Sequence, residues 1–501
     1  MQAPDPTPYP LDHLTLHGEA AAPALRTRDG LLDYTGLEKH VGTLAAALKA
    51  KGLERGDRVA SWLPKSRMTA LLPLACARAG LVHVPVNPLL KRAQIAHILA
   101  DSGARLLISG KARIGLLGED DVPGGCVPVE TESESLLDYP DALPPSDEDP
   151  DSLAALLYTS GSTGRPKGVM LSHANMWLGA ISVAHYLRLA PEDRTLAVLP
   201  FSFDYGQNQL LSTWAAGGCV VPLEYLAARD VIRAVEEQGI TTLAGVPPLW
   251  VQLVEAPWPP RAALSLRRLT NSGGRLPVSI VRRMRELFPA AELYLMYGLT
   301  EAFRSTYLEP ALLDDHPDSI GGAIPFAEVM TSRPDGNLAA PGEEGELVHA
   351  GPLVAKGYWN DPERTSLRFK PAPEGSRYGG LAVWSGDRVR SDQKGLLYFV
   401  GREDAMIKTS GNRVSPTEVE EAAVASGFAI EAVALGTPDD RLGEAILLVA
   451  RGPGPDEALR AFLRRELPNF MQPSHIVWRD ELPRSPNGKL DREAIKSELS
   501  T

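Results

Sequence analysis

Short apolar runs alternate with helical segments between residues 56 and 110, and this alternation constrains the fold more than any other feature. Strands are predicted at 58–63, 81–86 and 104–109, and helices at 68–79 and 92–100. Strands that alternate with helices form βαβ units, and such units build parallel sheets. The sequence therefore predicts an α/β fold, with layered βαβ sheets in a large N-terminal domain.

The same alternation continues to residue 296 and then changes. Further strands are predicted at 153–157, 195–199, 241–246, 266–271 and 292–296, and helices at 171–189 and 230–238. Residues 111–150 are rich in Pro, Asp and Glu, which predicts a surface connection. From residue 320, short strands such as 345–348 and 396–400 are separated by turns, which predicts a small β-rich subdomain.

The last part of the chain is predicted to form a separate small α+β domain. Helices are predicted at 416–425 and 456–466, strands at 431–435 and 444–450, and a loop at 484–489 before a short final helix. We therefore predict an N-terminal domain at 1–403 and a mobile C-terminal domain at 404–501.

Composition disfavours nucleic-acid and membrane partners. A net charge of −12 over 501 residues opposes non-specific binding to nucleic acid. No apolar run approaches the ~20 residues that span a bilayer. The first residues lack the basic start and the apolar core of a signal peptide. Three widely spaced cysteines without a CxxC pair predict neither a disulfide framework nor a zinc site. We expect a cytoplasmic protein.

The segment from Tyr158 to Gly168 has the composition of a phosphate-binding loop. It follows the predicted strand 153–157 and reads Tyr-Thr-Ser-Gly-Ser-Thr-Gly-Arg-Pro-Lys-Gly. Glycine permits close backbone approach, and backbone N–H groups, hydroxyls and the charges of Arg165 and Lys167 can bind phosphate oxygens. No Gly-Lys-Ser/Thr follows at P-loop spacing, so another ATP-binding fold is indicated. A flexible Ser/Gly loop is the alternative.

Two later segments offer side chains suited to a nucleotide. Tyr297-Gly-Leu-Thr-Glu301 supplies a ring for a base, a hydroxyl for phosphate and a carboxylate for Mg²⁺. Trp384-Ser-Gly-Asp387 supplies a carboxylate that can accept both ribose hydroxyls, with an ordinary turn aspartate as the alternative. Ligands of open α/β sheets bind beyond the carboxyl ends of the strands, so these segments are expected to share one crevice.

These segments resemble the motifs of the adenylate-forming ligases, the superfamily of acyl-CoA synthetases, amino-acid adenylation domains and luciferase. The matches follow the family order, with 297–301, 384–387, 401–413 and 487–492 after the phosphate loop, and cover nearly the whole chain. The resemblance implies the use of ATP and Mg²⁺. At Trp384-Ser385 the chain departs from the more usual Tyr-Arg-Thr, but Asp387 is in place.

By this resemblance the nucleotide is held by the phosphate loop, a glycine segment and the second motif. Tyr297 is expected to stack on adenine, Thr300 to contact the α-phosphate, and Glu301 to ligate Mg²⁺. The remaining nucleotide-binding residues that it implies are Thr159, Ser160, Gly161, Ser162, Thr163, Gly164, Lys167, Gly273, Gly274, Arg275, Gly298, Asp387 and Arg402.

The resemblance also assigns a hinge and a mobile lysine. Asp404 is the implied hinge, and Gly411, Asn412 and Arg413 form the implied loop that meets a thiol acceptor. Lys489, in Asn-Gly-Lys-Leu-Asp-Arg, is expected to bridge the attacking carboxylate and the α-phosphate, because a lysine on a mobile loop delivers a point charge without a fixed fork. The implied catalytic residues are Lys489, Thr300, Lys167 and Arg402.

Phe203-Asp204 stands where fatty and aryl CoA ligases usually carry a His-containing segment. It resembles amino-acid adenylation domains, in which this aspartate faces the substrate's α-amino group; a helix cap is the alternative. The acyl pocket implied by the same resemblance is lined by Asp204, Tyr205, Asn208, Thr270, Ser272, Met296, Arg304 and Ser305. If Arg304 points inward, it would pair with a second substrate carboxylate, because an unpaired buried charge is costly.

The activity implied is a two-step ligation of a small carboxylic acid, with an amino or imino acid favoured. The carboxylate attacks the α-phosphate of ATP and releases pyrophosphate, and a thiol then displaces AMP from the acyl-adenylate. No fused carrier domain is recognisable in the sequence, so we expect phosphopantetheine of a carrier protein in trans, with CoA as the alternative. The same motifs are also compatible with a non-catalytic nucleotide-binding protein and with a luciferase-type oxidase.

Overall fold

The computed structural model describes residues 3–132, 135–159, 166–402, 406–409, 412–439, 442–467 and 469–499. The first strands are β1 (Pro23–Thr27), β2 (Gly30–Asp33), β3 (Arg58–Trp62), β4 (Val82–Pro85), β5 (Leu106–Ser109) and β6 (Val127–Glu130). The first helices are α1 (Tyr34–Ala50), α2 (Arg67–Arg78), α3 (Arg92–Ser102) and α4 (Lys111–Ile114).

The central part of the chain, residues 153–323, contains the next group of strands and helices. Its strands are β7 (Leu153–Thr159), β8 (Lys167–Ser172), β9 (Arg194–Ala197), β10 (Cys219–Pro222), β11 (Thr242–Gly245), β12 (Arg268–Asn271), β13 (Glu292–Tyr297), β14 (Thr306–Tyr307) and β15 (Gly322–Ala323). Its helices are α5 (His173–Tyr186), α6 (Asp204–Ala215), α7 (Ala228–Gln238), α8 (Pro247–Glu255), α9 (Pro260–Ser265) and α10 (Val278–Leu287).

The last part carries shorter sheets. Its strands are β16 (Glu328–Ser332), β17 (Glu344–Ala350), β18 (Phe369–Pro371), β19 (Leu381–Ser391), β20 (Leu397–Arg402), β21 (Ile407–Thr409), β22 (Asn412–Val414), β23 (Glu431–Asp439), β24 (Gly443–Arg451) and β25 (His475–Trp478). Its helices are α11 (Pro362–Arg368), α12 (Pro416–Ala425), α13 (Asp456–Glu466) and α14 (Arg492–Leu499).

Two large sheets form the body of the molecule. Over the described residues, one sheet has the order β6-β5-β3-β4-β7-β8, parallel except for β8. The other has the order β15-β14-β13-β12-β11-β9-β10-β1-β2 and is parallel from β13 to β1. These layered sheets, with helices following the strands, confirm the predicted α/β body.

Two smaller sheets confirm the other predicted parts of the fold. Strands β16 to β20 make an antiparallel sheet after the second large sheet, and β21 to β25 make a sheet with α12, α13 and α14. The last sheet has its own apolar core, which includes Val419, Leu459 and Leu463. The predicted boundary and its hinge Asp404 fall on residues 403–405, outside the described residues, and stay a prediction.

One predicted helix was confirmed with shorter bounds, and one predicted connection was wrong. The helix predicted at 171–189 begins at His173, where Ser172 caps it by accepting a hydrogen bond from the Asn175 amide at 3.2 Å. Residues before it form β8, which pairs antiparallel with β7, so the phosphate loop joins two strands. The connection predicted at 111–150 contains β6, which extends the first sheet by pairing with β5.

The C-terminal unit contacts the body through α12, β24 and the loop at 484–490. Arg275 forms an ion pair with Glu421 on α12, and Arg451 lies 3.4 Å from Glu255. The Asn87 side-chain amide donates to Asn487 Oδ1 at 2.9 Å. The last contact places the loop at 484–490 beside the end of β4 in the first sheet, and Gly488 in this loop lies next to Val246, which follows β11 in the second sheet. Among the described residues, every helix falls short of the length and apolarity that a membrane crossing needs.

Candidate active site

The carboxyl ends of four neighbouring parallel strands define one edge of the second sheet. Strands β9, β11, β12 and β13 pair in register, so their following residues lie side by side. Those residues include Asp204 after β9, Gly273 after β12 and Thr300 after β13. Because this is the edge where open α/β sheets bind ligands, it is the candidate site.

Tyr297 and Asp387 come together from different sheets at this edge. The Tyr297 hydroxyl donates a hydrogen bond to Asp387 Oδ2, and Arg402 Nε lies 3.6 Å from Asp387 Oδ1. Burial raises the pKa of Tyr297 well above its ordinary value, and the Asp387 charge adds to the shift, so the phenol stays a donor. A carboxylate fixed beside an aromatic ring is suited to a ribose next to a base.

Lys167, Glu301 and Tyr358 form a buried hydrogen-bonded cluster. Lys167 Nζ lies 3.3 Å from Glu301 Oε1 and donates to the Tyr358 hydroxyl at 2.6 Å, and that hydroxyl donates to Glu301 Oε1 at 2.6 Å. Burial would raise the pKa of Glu301, but Lys167 and the Tyr358 hydroxyl hold it below its ordinary value. Burial lowers the pKa of Lys167, against the charge of Glu301. Sequence reasoning missed Tyr358.

Glu301 fits a Mg²⁺ ion that is held mainly by phosphates. Mg²⁺ is commonly bound through one or two carboxylates together with substrate phosphates and waters. Among the described residues no group of three His, Cys, Asp or Glu side chains could enclose a metal ion. Glu301 is 6% exposed and carries a lowered pKa, so its carboxylate is ionised beside Lys167 at the start of β8. A single carboxylate of this kind would suit a metal ion that is held mainly by the phosphates of a nucleotide.

Gly273 allows a lysine from the C-terminal unit to reach the strand ends. Gly273 has φ +78°, and a side chain there would begin 2.8 Å from Lys489 Cε. Lys489 Nζ lies 5.0 Å from the centroid of the Phe203 ring. Burial lowers the pKa of Lys489 below its ordinary 10.5, and the charge of Asp204 opposes this shift. A cation on a separate unit thus enters the cleft next to Asp204.

Asp204 begins α6 and faces the cleft. Its side chain is 4% exposed and accepts a hydrogen bond from Thr300 Oγ1 at 3.3 Å. Burial raises its pKa, while the charges of Arg304 and Lys489 oppose the rise. Among the described residues, neither Arg304 nor Lys489 lies within ion-pair distance of the Asp204 carboxylate. The carboxylate is therefore buried in the positive field of two cations.

The other predicted pocket residues surround Arg304. Arg304 Nη1 donates to Ser272 Oγ at 2.9 Å, and its guanidinium lies 4.7 Å from the Tyr205 ring centroid. The remaining contacts join Tyr205 to Thr270 through their hydroxyls, Met296 sulfur to the Tyr186 hydroxyl, and Ser305 to His349. Asn208 lines the same small cavity as Tyr205, Thr270, Met296 and Arg304.

Some predicted residues lie elsewhere or outside the described chain. Thr159 ends β7, and its buried Oγ1 has no hydrogen-bond partner among the described residues. Arg275 pairs with Glu421 and lies 3.7 Å from Asp318, at the junction of the two units. Gly274 and Gly298 stand in the turns after β12 and β13. Residues 160–165, 403–405 and 410–411 are outside the described residues, as are the side chains of Asn412 and Arg413.

Comparisons with known proteins cover almost the whole chain. Residues 15–359 match the family model of AMP-binding enzymes, and residues 418–489 match that of the AMP-binding enzyme C-terminal domain. Feruloyl-CoA synthase of an Amycolatopsis species is 33% identical over 95% of this chain and 95% of its own length. The L-proline--[L-prolyl-carrier protein] ligase of Streptomyces coelicolor is 31% identical over 98% of this chain and 96% of its own.

Solved structures and longer synthases give consistent matches. ATP-bound MatB from Rhodopseudomonas palustris superposes with a TM-score of 0.88 at 25% identity, covering 98% of this chain and 99% of that one. Tyrocidine synthase 3 of Brevibacillus parabrevis is 31% identical over 94% of this chain, which spans only 7% of that protein.

Proposed function

This chain belongs to the family of AMP-binding enzymes, and we propose that it activates an amino or imino acid and transfers it to the phosphopantetheine thiol of a carrier protein. Family membership and the two nearly full-length relatives make it an AMP-forming ligase of an acid and a thiol that uses ATP. The identities of the acid and of the thiol acceptor are the proposed part of this activity.

In the first proposed step, a substrate carboxylate oxygen bonds to the α-phosphorus of ATP and the bond to pyrophosphate breaks. Two anions meet in this step, so stabilisation by fixed positive charge is the main requirement. Lys489 approaches from the C-terminal unit, and Lys167 stands beside Glu301. Mg²⁺ held by Glu301 and the phosphates would neutralise further charge on the pyrophosphate. Tyr297, Asp387 and Thr300 orient the nucleotide.

In the second proposed step, the thiol sulfur bonds to the acyl carbon and the bond to AMP breaks. AMP leaves as an anion, and the thiol gives up its proton. The residues that would approach the acceptor are the implied loop at Gly411, Asn412 and Arg413. Transfer to CoA would follow the same course, because CoA ends in the same phosphopantetheine arm. CoA as acceptor is favoured by the feruloyl-CoA synthase relative, and a carrier protein by the L-prolyl-carrier protein ligase relative.

The observation that carries the choice of acid is the environment of Asp204. The carboxylate is buried, has a raised pKa, and has Thr300 as its hydrogen-bonding hydroxyl. An ammonium group beside it would form a charge-assisted hydrogen bond and restore its ionised form. A neutral acyl chain would leave the buried Asp204 carboxyl group either ionised without a partner or protonated, and both states cost free energy. An α-amino group is therefore the best complement.

A screen of ATP–pyrophosphate exchange over amino, imino and unsubstituted carboxylic acids tests this choice. We expect exchange with an amino or imino acid, and a loss of ~10²-fold or more in kcat/KM in Asp204→Asn, because the cation loses its charged partner. The surface variant Glu236→Gln on α7 is the matched control and should leave exchange unchanged. Exchange confined to acids without an amino group would remove Asp204 from this role.

Mass detection of the thioester separates the acceptors. Purified phosphopantetheinylated carrier proteins and CoA are supplied in parallel with the acid found in the exchange screen. We expect acylation of a carrier protein at a higher rate than acylation of CoA. Acyl-CoA formed faster than any acyl-carrier thioester would favour the alternative acceptor.

The lowered pKa of Lys489 predicts the alkaline limit of adenylation. A lysine whose pKa is lowered loses its proton at a lower pH, so its positive charge is present below that pKa and lost as pH rises through it. We expect kcat/KM for pyrophosphate exchange to fall on the alkaline side below pH ~10.5, since kcat/KM reports groups of the free enzyme. In Lys489→Arg the positive charge persists to higher pH, so the alkaline fall in kcat/KM should move to higher pH. An alkaline fall at the same pH in this variant would contradict the assignment to Lys489.

A further inference from the structure

Helix α6 directs a polar stripe into the protein interior. Tyr205, Asn208, Gln209, Ser212 and Thr213 follow the spacing of one helix face and line a cavity of about 20 Å³. A buried helix face normally carries apolar residues. Here the cavity is closed by further polar groups, including Thr270 and the guanidinium of Arg304. Apolar residues such as Val183, Leu187 and Leu189 complete the lining, so the cavity combines apolar walls with a cluster of polar groups.

Several groups on this lining have no hydrogen-bond partner within the part of the chain that the structure describes. They are both amide atoms of Gln209, the Oδ1 of Asn208 and the Nε of Arg304. Arg304 is 2% exposed and has no described acid within ion-pair distance. A buried polar group without a partner destabilises the folded protein, and a buried unpaired charge destabilises it more. Three such side chains at one cavity can be satisfied by a polar group that enters it.

The backbone forces Arg304 inward. Phe303 has φ +58° and ψ −52°, and the Arg304 amide donates to the Ala302 carbonyl at 2.6 Å, which forms a strained γ-turn. The Phe303 ring is buried against Gly179, where any side chain would clash with it. Strained backbone persists only where its surroundings fix it, and here it fixes the direction of a guanidinium.

We propose that the acid carries a second, distal carboxylate that pairs with Arg304, with the amides of Asn208 and Gln209 beside it. This inference rests on the proposed function, because it concerns the same acid. Asp204 would take the α-amino group while Arg304 takes the opposite end, so both buried charges gain partners. The cavity beside Arg304 holds little more than one water-sized group, so only the end of a side chain would fit there, and the substrate class is a short amino dicarboxylic acid.

Matched acids test the inference in the unaltered protein. ATP–pyrophosphate exchange is compared for L-aspartate, L-asparagine and L-2-aminobutyrate, and for L-glutamate, L-glutamine and L-norvaline. We expect kcat/KM for one of the dicarboxylic acids to exceed that of its amide and of its methyl-terminated counterpart by ~10²-fold or more, because a site built for a polar group rejects an analogue without it.

Variants of Arg304 assign the preference to this side chain. In Arg304→Met, the ratio of kcat/KM for the dicarboxylic acid to kcat/KM for its methyl-terminated counterpart should fall below ~10. In Arg304→Lys, which keeps a positive charge, part of the preference for the dicarboxylic acid should remain. Unchanged binding of ATP, measured by calorimetry, shows that the variants are folded. A preference that survives in Arg304→Met overturns the assignment.

The outcomes also separate this inference from the proposed function. If succinate or glutarate supports exchange better than the amino dicarboxylic acids, the distal carboxylate stands and the amino group of the proposed function fails. If only amino acids with neutral side chains support exchange, the proposed function stands and this inference is overturned. If no dicarboxylic acid of either kind supports exchange, this inference is likewise overturned.

Discussion

Lys489→Ala is expected to slow adenylation by ~10²-fold or more while largely sparing thiol transfer from a supplied acyl-adenylate. Lys489 enters the cleft beside Phe203 and Asp204, where the attacking carboxylate must meet the α-phosphate. Repulsion between two anions arises only in this half-reaction. The thiol step has no such pair to neutralise, so the same lysine should matter much less there.

The two half-reactions are measured separately. Pyrophosphate exchange reports adenylation, and mass detection of the thioester formed from synthetic acyl-adenylate reports transfer. Lys496→Ala removes an exposed lysine from α14 of the same unit and serves as the matched control, with both rates expected unchanged. Equal losses in both half-reactions for Lys489→Ala would show that the lysine acts by holding the domains together.

The residues of the motif 297–301 were predictable because this motif lies next to a strand end. Tyr297, Thr300 and Glu301 follow β13 directly, so placing the strand also placed them. Asp387 was assigned by its motif alone, yet β19 brings it to hydrogen-bonding distance of Tyr297, 90 residues away in sequence. These placements agree with one shared cleft.

Contacts made across long loops were not predictable. Tyr358 reaches Glu301 from 57 residues away, and its neighbours in sequence form no motif that signals a catalytic cluster. The orientation of Arg304 was left open by its sequence position. It depends on the γ-turn at Phe303, which requires the absence of a side chain at Gly179 on α5. No local pattern in the sequence indicates that pairing.

Arg275 takes a partner that local reasoning did not predict, while its nucleotide-binding role stays a prediction. Its place after Gly273-Gly274 suggested the adenine segment, but the structure joins it to Glu421 of the C-terminal unit. Burial raises the pKa of Glu421 to about 7, against the charge of Arg275. A side chain next to a motif in sequence can thus serve the contact between two units, and only the tertiary arrangement shows which partner it takes.

Glu301→Gln is expected to reduce pyrophosphate exchange by ~10²-fold or more and to make it depend on higher Mg²⁺ concentrations. The substitution keeps the shape of the side chain but removes the charge that pairs with Lys167 and that would hold the metal. Added Mg²⁺ should recover part of the rate, because the phosphates still bind the ion. Exchange measured across a Mg²⁺ titration gives both quantities.

Tyr358→Phe is the matched control for this prediction. It removes the hydroxyl that donates to Glu301 at 2.6 Å but leaves the carboxylate charged. We expect a loss below ~10-fold and an unchanged Mg²⁺ requirement, in line with a single hydrogen bond. If both variants lost activity equally and Mg²⁺ rescued neither, Glu301 would act by positioning Lys167. A rescue confined to Glu301→Gln would instead locate the metal at this carboxylate, since the two variants disturb the same hydrogen-bonded cluster and differ in charge.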